Sequence, residues 1–270
     1  MVKTPASLKK MSLFSFWDWV GEHFPTLSGA PSTQYYFYCE KVLFQTYFPQ
    51  LERKKVLKTD LWDEAKNSRI LQWVEAQGAE VYGLDVSYQI TKEAKDNFRE
   101  GFSGGFIVSD LRRIAYDDES FHLIYSMGTI EHFPEYIQAL KECYRVLRRG
   151  GYAFIGVPNK HDPFLRPLLV WVMSTMNMYA YGYEKSFSRR ALERILQDVG
   201  FRVLDTSGIL FMPGILRIFD LYLHVNWPKA TVLTKPLISP FRFFFRKFPS
   251  LRRHGYLITS VVQKPSSSSA

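Results

Sequence analysis

The sequence is poor in cysteine. Among its 270 residues only Cys39 and Cys143 carry a thiol, and neither stands in a spacing typical of metal ligands. A disulfide framework and a structural zinc site are therefore excluded as the basis of the fold. We expect no metal in the functional site and a reducing, cytoplasmic location.

Long hydrophobic runs are also lacking. Residues 168–178 are apolar but too few to cross a bilayer, and residues 209–225 are interrupted by Pro213, Arg217, Asp220 and His224. Residues 1–10 contain basic side chains without a following apolar region and cleavage site, which predicts no signal peptide.

Acidic residues are absent after Asp220, and the formal net charge of the whole chain is +9. This charge pattern favours an anionic contact such as a membrane surface, nucleic acid or an acidic protein, although a solvated basic face without a partner explains it equally well. The basic residues of this region are Lys229, Lys235, Arg242, Arg246, Lys247, Arg252, Arg253 and Lys264.

What the sequence does contain is an alternation of short β-rich runs with helical patterns, which is typical of βαβ units. Helices are predicted over 62–77, over 89–100, from Pro134 to Gly150 and from Ser188 to Gly200. Strands are predicted at 54–58, 80–85, 106–109, 121–127, 152–157, 201–205 and 256–262. The order predicts an α/β, Rossmann-like fold with a seven-stranded, mostly parallel sheet.

The remaining segments set the domain organisation. Residues 1–50 form a helical preface, whose apolar stripe predicts either docking on the core or a lid. The main domain is 51–264, and 265–270 is predicted to be a disordered tail. Two long insertions, 159–185 and 209–253, are rich in aromatic and Met residues and are expected to form a cap.

Residues that follow the first strands of an open parallel sheet are the first candidates for a ligand site. Asp85 ends the second predicted strand, where an acidic residue can accept the two ribose hydroxyls of a nucleoside cofactor. An exposed aspartate in a turn is the alternative interpretation of this residue taken alone.

The stretch SDLRRIAYDDESFHLIYSMGTIEHFPEYIQALKECYRVLRRGGYAFIGVPN, residues 109–159, makes the pattern more specific. It resembles the second half of the class I S-adenosylmethionine (SAM) dependent methyltransferase core of the type 11 family. The shared features are an acidic residue after strand three, a D-x-S-F strand, Glu-His after strand four, R-V-L before Gly-Gly, and V-P-N. Residues 181–201 resemble the approach to that family's sixth strand.

The resemblance implies roles for individual residues. Asp85 would bind the ribose of SAM, and Asp110 would accept from the adenine amino group beside the Leu111 backbone. Ser126 and Met127 would line the methionine end of the cofactor. Glu131 and His132 would stand near the transferred methyl group, with His132 as the leading candidate base because its unperturbed pKa is close to neutral. Packing against the following helix is the alternative role for His132.

The loop after strand one departs from the family, which normally places glycines there so that the backbone can approach the cofactor. Here the loop begins Lys58, Thr59, Asp60 and contains no glycine. In the resemblance, Asp60 would face the positively charged methionine end, with Lys58 and Thr59 beside it. The other interpretation is that the loop has lost the cofactor and that the chain is an inactive, methyltransferase-fold subunit or scaffold.

Two further absences limit the substrate. Without a G-x-G-x-x-G loop, binding of a nicotinamide pyrophosphate is disfavoured. Without a D/N-P-P-aromatic motif after strand four, methylation of nucleic-acid amino groups is disfavoured, and no RNA-binding module is recognisable. The apolar cap favours a small hydrophobic or lipid-like acceptor, and the aromatic, basic segment 237–253 suits an anionic membrane surface, with an aromatic core and basic rim as the alternative.

Overall fold

The computed structural model describes residues 11–266. The prediction of no signal peptide in residues 1–10 lies outside the described residues, as does the predicted disordered tail (265–270) from residue 267 onward.

The strands form one seven-stranded sheet in the order β3-β2-β1-β4-β5-β7-β6. All neighbours are parallel except that β7 runs antiparallel to both β5 and β6. The predicted α/β, mostly parallel fold is confirmed. The strands are β1 (Lys55–Lys58), β2 (Glu80–Asp85), β3 (Gly104–Val108), β4 (Phe121–Met127), β5 (Leu147–Pro158), β6 (Arg202–Ile209) and β7 (Leu257–Gln263).

Ten α-helices precede, connect or cover these strands in the described residues. They are α1 (Leu13–His23), α2 (Pro31–Tyr47), α3 (Trp62–Lys66), α4 (Ile70–Ala76), α5 (Tyr88–Asn97), α6 (Tyr136–Val146), α7 (Arg166–Thr175), α8 (Arg189–Val199), α9 (Gly214–Asn226) and α10 (Lys235–Lys247). Short 3₁₀ helices occupy Ile130–His132, Pro228–Leu233 and Pro249–Arg253.

The prediction of one helix over 62–77 was wrong, because the chain breaks between α3 and α4. Asn67 donates its side-chain amide to Asp63 and accepts from the hydroxyl of Thr33, while Arg69 adopts a left-handed backbone with φ 58°. These side-chain bonds replace the helical backbone pattern at this point. The break turns α3 toward the end of β1, where the polar residues of the loop are buried.

The sheet is covered on both faces, so its strands are apolar on both sides. One face packs against α2 and α4, and Val56, Tyr125 and Phe154 belong to that core. The other face packs against α6 and α8 and includes Leu57 and Ile124. The α2 part of the predicted preface is therefore docked core: its Tyr35 and Phe44 are almost completely buried.

The two insertions carry helices of their own and lie beside the preface. Residues 159–185 contain α7, and residues 209–253 contain α9 and α10. Helix α9 contacts both α2 and α7, and α10 contacts α2. Helix α1 packs across α5, where Gly21 lies against the side chain of Ile90. The preface and the insertions thus enclose the space beyond the carboxyl ends of the first strands.

Candidate active site

A cavity of about 590 Å³ lies beyond the carboxyl ends of the first four strands. Three of the carboxylates that line it stand at strand ends: Asp60 follows β1, Asp85 ends β2 and Asp110 follows β3. Because consecutive strands of a parallel sheet end at the same edge, these acidic side chains share one wall. The other acidic residues of the lining are Asp63, Glu131 and Glu184. The residues predicted for the site that line this cavity are Thr59, Asp60, Asp85, Asp110, Leu111, Met127, Glu131 and His132.

The glycine-free loop after β1 is built around a buried cation. The ammonium of Lys58, which is fully buried, lies 2.8 Å from Asp60 Oδ1 and 3.1 Å from Asp63 Oδ2. Burial alone would lower the pKa of this lysine, but the carboxylates of Asp60 and Asp63 outweigh it and raise the pKa above its usual value. Asp60 also accepts from the hydroxyl of Thr129 at 2.9 Å, which fixes the side chain that faces the cavity.

Asp85 ties the loop to the end of β2. Its two oxygens accept backbone N–H bonds from Leu61 at 2.9 Å and from Ser87 at 2.8 Å. Burial raises the pKa of Asp85 to about 7, although both N–H donors oppose the rise. Each carboxylate oxygen has a second lone pair, so the group can still accept hydroxyls from a ligand in the cavity.

Asp110 is engaged more fully. Its carboxylate accepts bidentate hydrogen bonds from the guanidinium of Arg112 and one further hydrogen bond from the Arg112 backbone N–H. Burial would raise the pKa of Asp110, but these bonds from Arg112 lower it below its usual range. Arg112 also contacts Glu135 at 3.1 Å, on the outer side of the site. Acceptance of an amino group by Asp110 therefore requires a lone pair not used by Arg112.

Two predicted site residues do not reach the cavity. Lys58 lies behind Asp60, where its ammonium also faces the ring of Tyr125 at 5.7 Å. Ser126 is fully buried within the sheet, and its hydroxyl has no hydrogen-bond partner among the described residues. The period-two alternation of β4 explains this placement, since the neighbouring Met127 does line the cavity. Neither residue lines the cavity, so the structure gives no support to direct cofactor contact by Lys58 or Ser126, which stays a prediction.

His132 lies at the end of a sharp turn after β4, in which Gly128 has a φ of +76°. Its Nδ1 lies 2.9 Å from the main-chain carbonyl of Tyr183, and a carbonyl can only accept, so Nδ1 carries the proton. Nε2 of the neutral ring consequently keeps its lone pair. Burial lowers the pKa of His132 below its usual value, with Glu184 opposing the change, so the neutral form predominates at neutral pH. Trp17 packs edge-on against the imidazole.

Glu131 is a second titratable group beside the imidazole. Its Oε1 lies 4.0 Å from Nε2 of His132, and only 2% of the residue is exposed. Burial, together with the nearby Glu184 carboxylate, raises the pKa of Glu131 well above its usual value. Burial therefore favours the neutral carboxylic acid form of Glu131, which can donate a proton as well as accept one.

A buried ion pair supports this end of the cavity, and the sequence did not predict it. Arg166 forms two 2.7 Å bonds with the carboxylate of Glu184 and lies over the ring of Tyr256 at 4.3 Å. Tyr179 donates its hydroxyl to the same carboxylate. The two partners lie at opposite ends of the first insertion, so no local spacing links them. Their pairing positions Tyr183, whose carbonyl holds His132.

The wall opposite the carboxylates is aromatic and aliphatic. Tyr181 contacts the rings of Trp62 and Phe24 at 5.7 Å and 5.4 Å, which joins the first insertion to the preface. The apolar residues that line this wall are Leu13, Trp17, Phe24, Trp62, Leu169, Val170, Met173, Met178, Tyr181, Ile218, Leu221 and Val225. The preface thus supplies both a docked helix, α2, and a cavity wall, α1.

Comparison with known proteins identifies the fold. Residues 65–155 match the family model of the methyltransferase domain. The chain is 26% identical over 162 residues to a demethylmenaquinone methyltransferase of Chlorobaculum parvum, which covers 52% of this chain and 64% of that protein. It is 26% identical over 140 residues to a ubiquinone biosynthesis O-methyltransferase of Parvibaculum lavamentivorans, covering 50% of this chain and 55% of that protein. The chain therefore matches less than two thirds of the length of either relative.

A solved structure supports the same assignment. The S-adenosylmethionine dependent methyltransferase of Mesorhizobium loti superposes with a TM-score of 0.56 at 13% identity, over 83% of this chain and 97% of that one. At that identity the likeness concerns the fold alone. Taken with the match of residues 65–155 and the strand order, it shows that this chain has the class I methyltransferase fold, as the sequence resemblance predicted.

Proposed function

We propose that this protein transfers the methyl group of SAM to an oxygen of a small hydrophobic acceptor. The observation that carries the proposal is the single cavity that brings together three strand-end carboxylates, a neutral imidazole with a free Nε2, and an apolar wall. The relatives named above support methyl transfer, and their names support an acceptor of lipid-like character.

The residues present fit the cofactor. A volume of about 590 Å³ is within the range of small-molecule sites. The polar residues also match: Asp60 would hold the cationic methionine end, Asp85 would accept from the ribose hydroxyls, and Asp110, with the Leu111 backbone, would bind the adenine amino group. Trp62, adjacent to the loop, adds an aromatic face, on which a sulfonium is favourably placed. When bound, SAM supplies an electrophilic methyl group.

The chain's own residues then align the acceptor and remove its proton. Nε2 of His132 would take the proton of the acceptor hydroxyl, and SAM would supply the methyl group to that oxygen and leave as S-adenosylhomocysteine. The Tyr183 carbonyl, already bonded to Nδ1–H, stabilises the imidazolium that results, and it prevents the ring from turning. Burial disfavours the charged form of Glu131, and this limits the negative charge beside the oxygen as it loses its proton. The apolar wall excludes water, which is a competing acceptor.

Calorimetric titration with SAM and S-adenosylhomocysteine is the direct test. We expect micromolar binding by the intact protein and its loss in Asp85→Ala. The control is Asp96→Ala, which removes an exposed carboxylate whose partner among the described residues is Lys92 and should leave affinity unchanged. Circular dichroism of both variants separates loss of binding from loss of fold. Binding that survives in a folded Asp85→Ala protein would contradict the assignment of the ribose site.

A second candidate is a methyltransferase-fold subunit that no longer turns over. The occupation of both Asp110 oxygens by Arg112 favours it, because the adenine contact is then partly satisfied inside the chain. Absence of any SAM or S-adenosylhomocysteine binding by folded protein would make this the preferred function. The aromatic cap would in that case serve as an interface with a protein or membrane partner.

A further inference from the structure

From Pro167 to Met173 helix α7 is apolar on every side, yet it lies at the surface. Its inner residues Leu169, Val170 and Met173 line the cavity. Its outer residues are apolar although they are exposed: Leu168 is 53% and Trp171 is 63% exposed. A helix without a polar face is normally buried, so the outer side of α7 is expected to meet something other than water.

The same arrangement continues on the neighbouring elements. Helix α9 contacts α7 and the 3₁₀ helix Pro228–Leu233, which in turn contacts α10. These elements expose large apolar side chains that contribute nothing to the described core. Together with α7 they form a surface that we call the cap face: Leu165, Leu168, Trp171, Val172, Met176, Ile215, Phe219, Trp227, Val232, Leu233, Leu237, Phe243 and Phe244.

The charges of the cap face have one sign. Lys229, Lys235, Arg242, Arg246 and Lys247 are exposed on the 3₁₀ helix and α10. Asp220 on α9 is fully buried, where it accepts from Ser32 N and the Thr234 hydroxyl, and no acidic residue follows it in the sequence. Exposed aromatic and aliphatic residues beside uncompensated Lys and Arg are the composition of interfacial membrane-binding helices.

We propose that the cap face docks on an anionic lipid bilayer, with the outer side chains of α7 and α9 in the interface and the basic residues of 229–247 on lipid phosphates. The structure describes no helix that is long and apolar enough to span a membrane, and docking requires none. Since α7 and α9 also form the cavity wall, docking brings that wall against the bilayer. On the proposed function, a hydrophobic acceptor would then approach the cavity from the bilayer side.

A second copy of the chain fits the cap face less well. A two-fold dimer through this surface would bring the same positive residues of both copies together, and like charges across an interface oppose association. Anionic lipid neutralises those charges and covers the apolar residues at the same time. Lipid is therefore the occupant that satisfies both features of the cap face.

Vesicle flotation of the purified full chain tests the proposal without requiring turnover. One set of vesicles is phosphatidylcholine alone, and the other is phosphatidylcholine mixed with phosphatidylglycerol. Two double variants change the cap face: Arg246→Gln with Lys247→Gln, and Leu168→Ser with Trp171→Ser. Matched controls lie elsewhere on the surface: Arg190→Gln with Arg194→Gln on α8, and Ile137→Ser on α6, where Ile137 is also exposed.

The intact chain should float with the phosphatidylglycerol vesicles at low salt and bind them more weakly as salt is added. Loss of two basic residues should weaken binding roughly 30-fold, and loss of the apolar pair about tenfold or more, with both controls unchanged. No binding to anionic vesicles, or equal losses in the controls, would overturn the proposal. A different result would also overturn the proposal: the intact chain binds no vesicles but forms a concentration-dependent dimer in analytical ultracentrifugation, and Leu168→Ser with Trp171→Ser abolishes that dimer.

Discussion

Lys58 and Asp60 form a buried ion pair at 2.8 Å across the loop that carries no glycine. A glycine loop lets backbone approach a ligand, whereas this loop presents a carboxylate that a lysine holds in place from behind. The construction requires the lysine to stay inside the sheet, and Lys58 is accordingly buried at the end of β1. If the cofactor binds here, its cationic end meets a side chain and not the main chain.

Asp60→Asn should weaken SAM binding by roughly 10- to 100-fold, since a hydrogen bond to a charged group contributes about 1.5–3 kcal/mol. The variant keeps an oxygen that accepts from Thr129, and Lys58 keeps Asp63 as a partner, so the fold should persist. Calorimetry measures the change. Asp63→Asn removes an equal charge from Lys58 without touching Asp60 and should reduce affinity less; the reverse order would show that Asp60 is structural.

His132→Asn should reduce kcat by about 100-fold to 10,000-fold while leaving SAM affinity unchanged. The asparagine amide can still donate to the Tyr183 carbonyl, so the turn is retained and only the base is lost. With the proposed activity, the intact protein should lose its rate as pH falls through the pKa of His132, which burial places below its usual value, and should keep it above that pKa. Rate against pH with a hydrophobic phenolic acceptor provides the measurement. A variant that keeps both its rate and the acidic inflection would assign the base to another residue.

Glu64→Gln should stabilise the protein at alkaline pH. Glu64 is fully buried, its Oε1 accepts from Leu71 N, and burial raises its pKa to about 8. The pKa of Glu64 is higher in the folded protein than in the unfolded chain. Its contribution to the free energy of unfolding is therefore fully present below the pKa of the unfolded chain and is lost as pH rises toward about 8. The glutamine retains the acceptor oxygen and cannot ionise.

The free energy of unfolding of Glu64→Gln at about pH 9 should exceed that of the parent by on the order of 2 kcal/mol, with a smaller difference near pH 5. Denaturant titrations at both pH values give the comparison. Glu100→Gln, at an exposed position, is the control and should change neither value. An unchanged pH dependence in Glu64→Gln would mean that the carboxylate is solvated in the folded protein.

Most of the fold was predictable because its signals are local. The strands 80–85 and 121–127 were predicted with the bounds that the structure shows, since each is a short apolar run between turn residues. The break between α3 and α4 was not predictable, because it depends on a bond between Asn67 and Thr33 from a different helix. Local periodicity carries no information on such distant partners.

The candidate site divides in the same way. Asp85 and Asp110 could be placed from the ends of their strands alone. Ser126 is buried within the sheet because successive side chains of a strand point to opposite faces, and an error of one residue in the strand pattern reverses that placement. The pairing of Arg166 with Glu184 depends on how a long insertion folds. The sequence therefore predicts which residues lie at the strand ends that border the cavity. The partners that orient these residues can be identified only in the structure.

Gly83→Ala is expected to destabilise the protein and disturb the loop. Gly83 lies in β2, and a Cβ there would stand 2.3 Å from Cδ2 of Leu61 and 3.0 Å from Phe106. Leu61 is fully buried and its backbone N–H binds Asp85, so it cannot withdraw without moving the loop. The loop itself has no glycine, but Gly83 in the neighbouring strand leaves the space that the Leu61 side chain of the loop occupies.

Overpacking of this kind costs about 1–3 kcal/mol, which thermal or denaturant unfolding can resolve. Gly105→Ala on β3 is the matched control, because a Cβ there meets nothing within 4 Å. It should be neutral or slightly stabilising, as alanine restricts the unfolded chain. Leu61→Ala combined with Gly83→Ala should recover part of the stability lost by Gly83→Ala alone, since it removes the clash. Equal destabilisation by both glycine substitutions would mean that the sheet, and not the contact with Leu61, selects glycine at position 83.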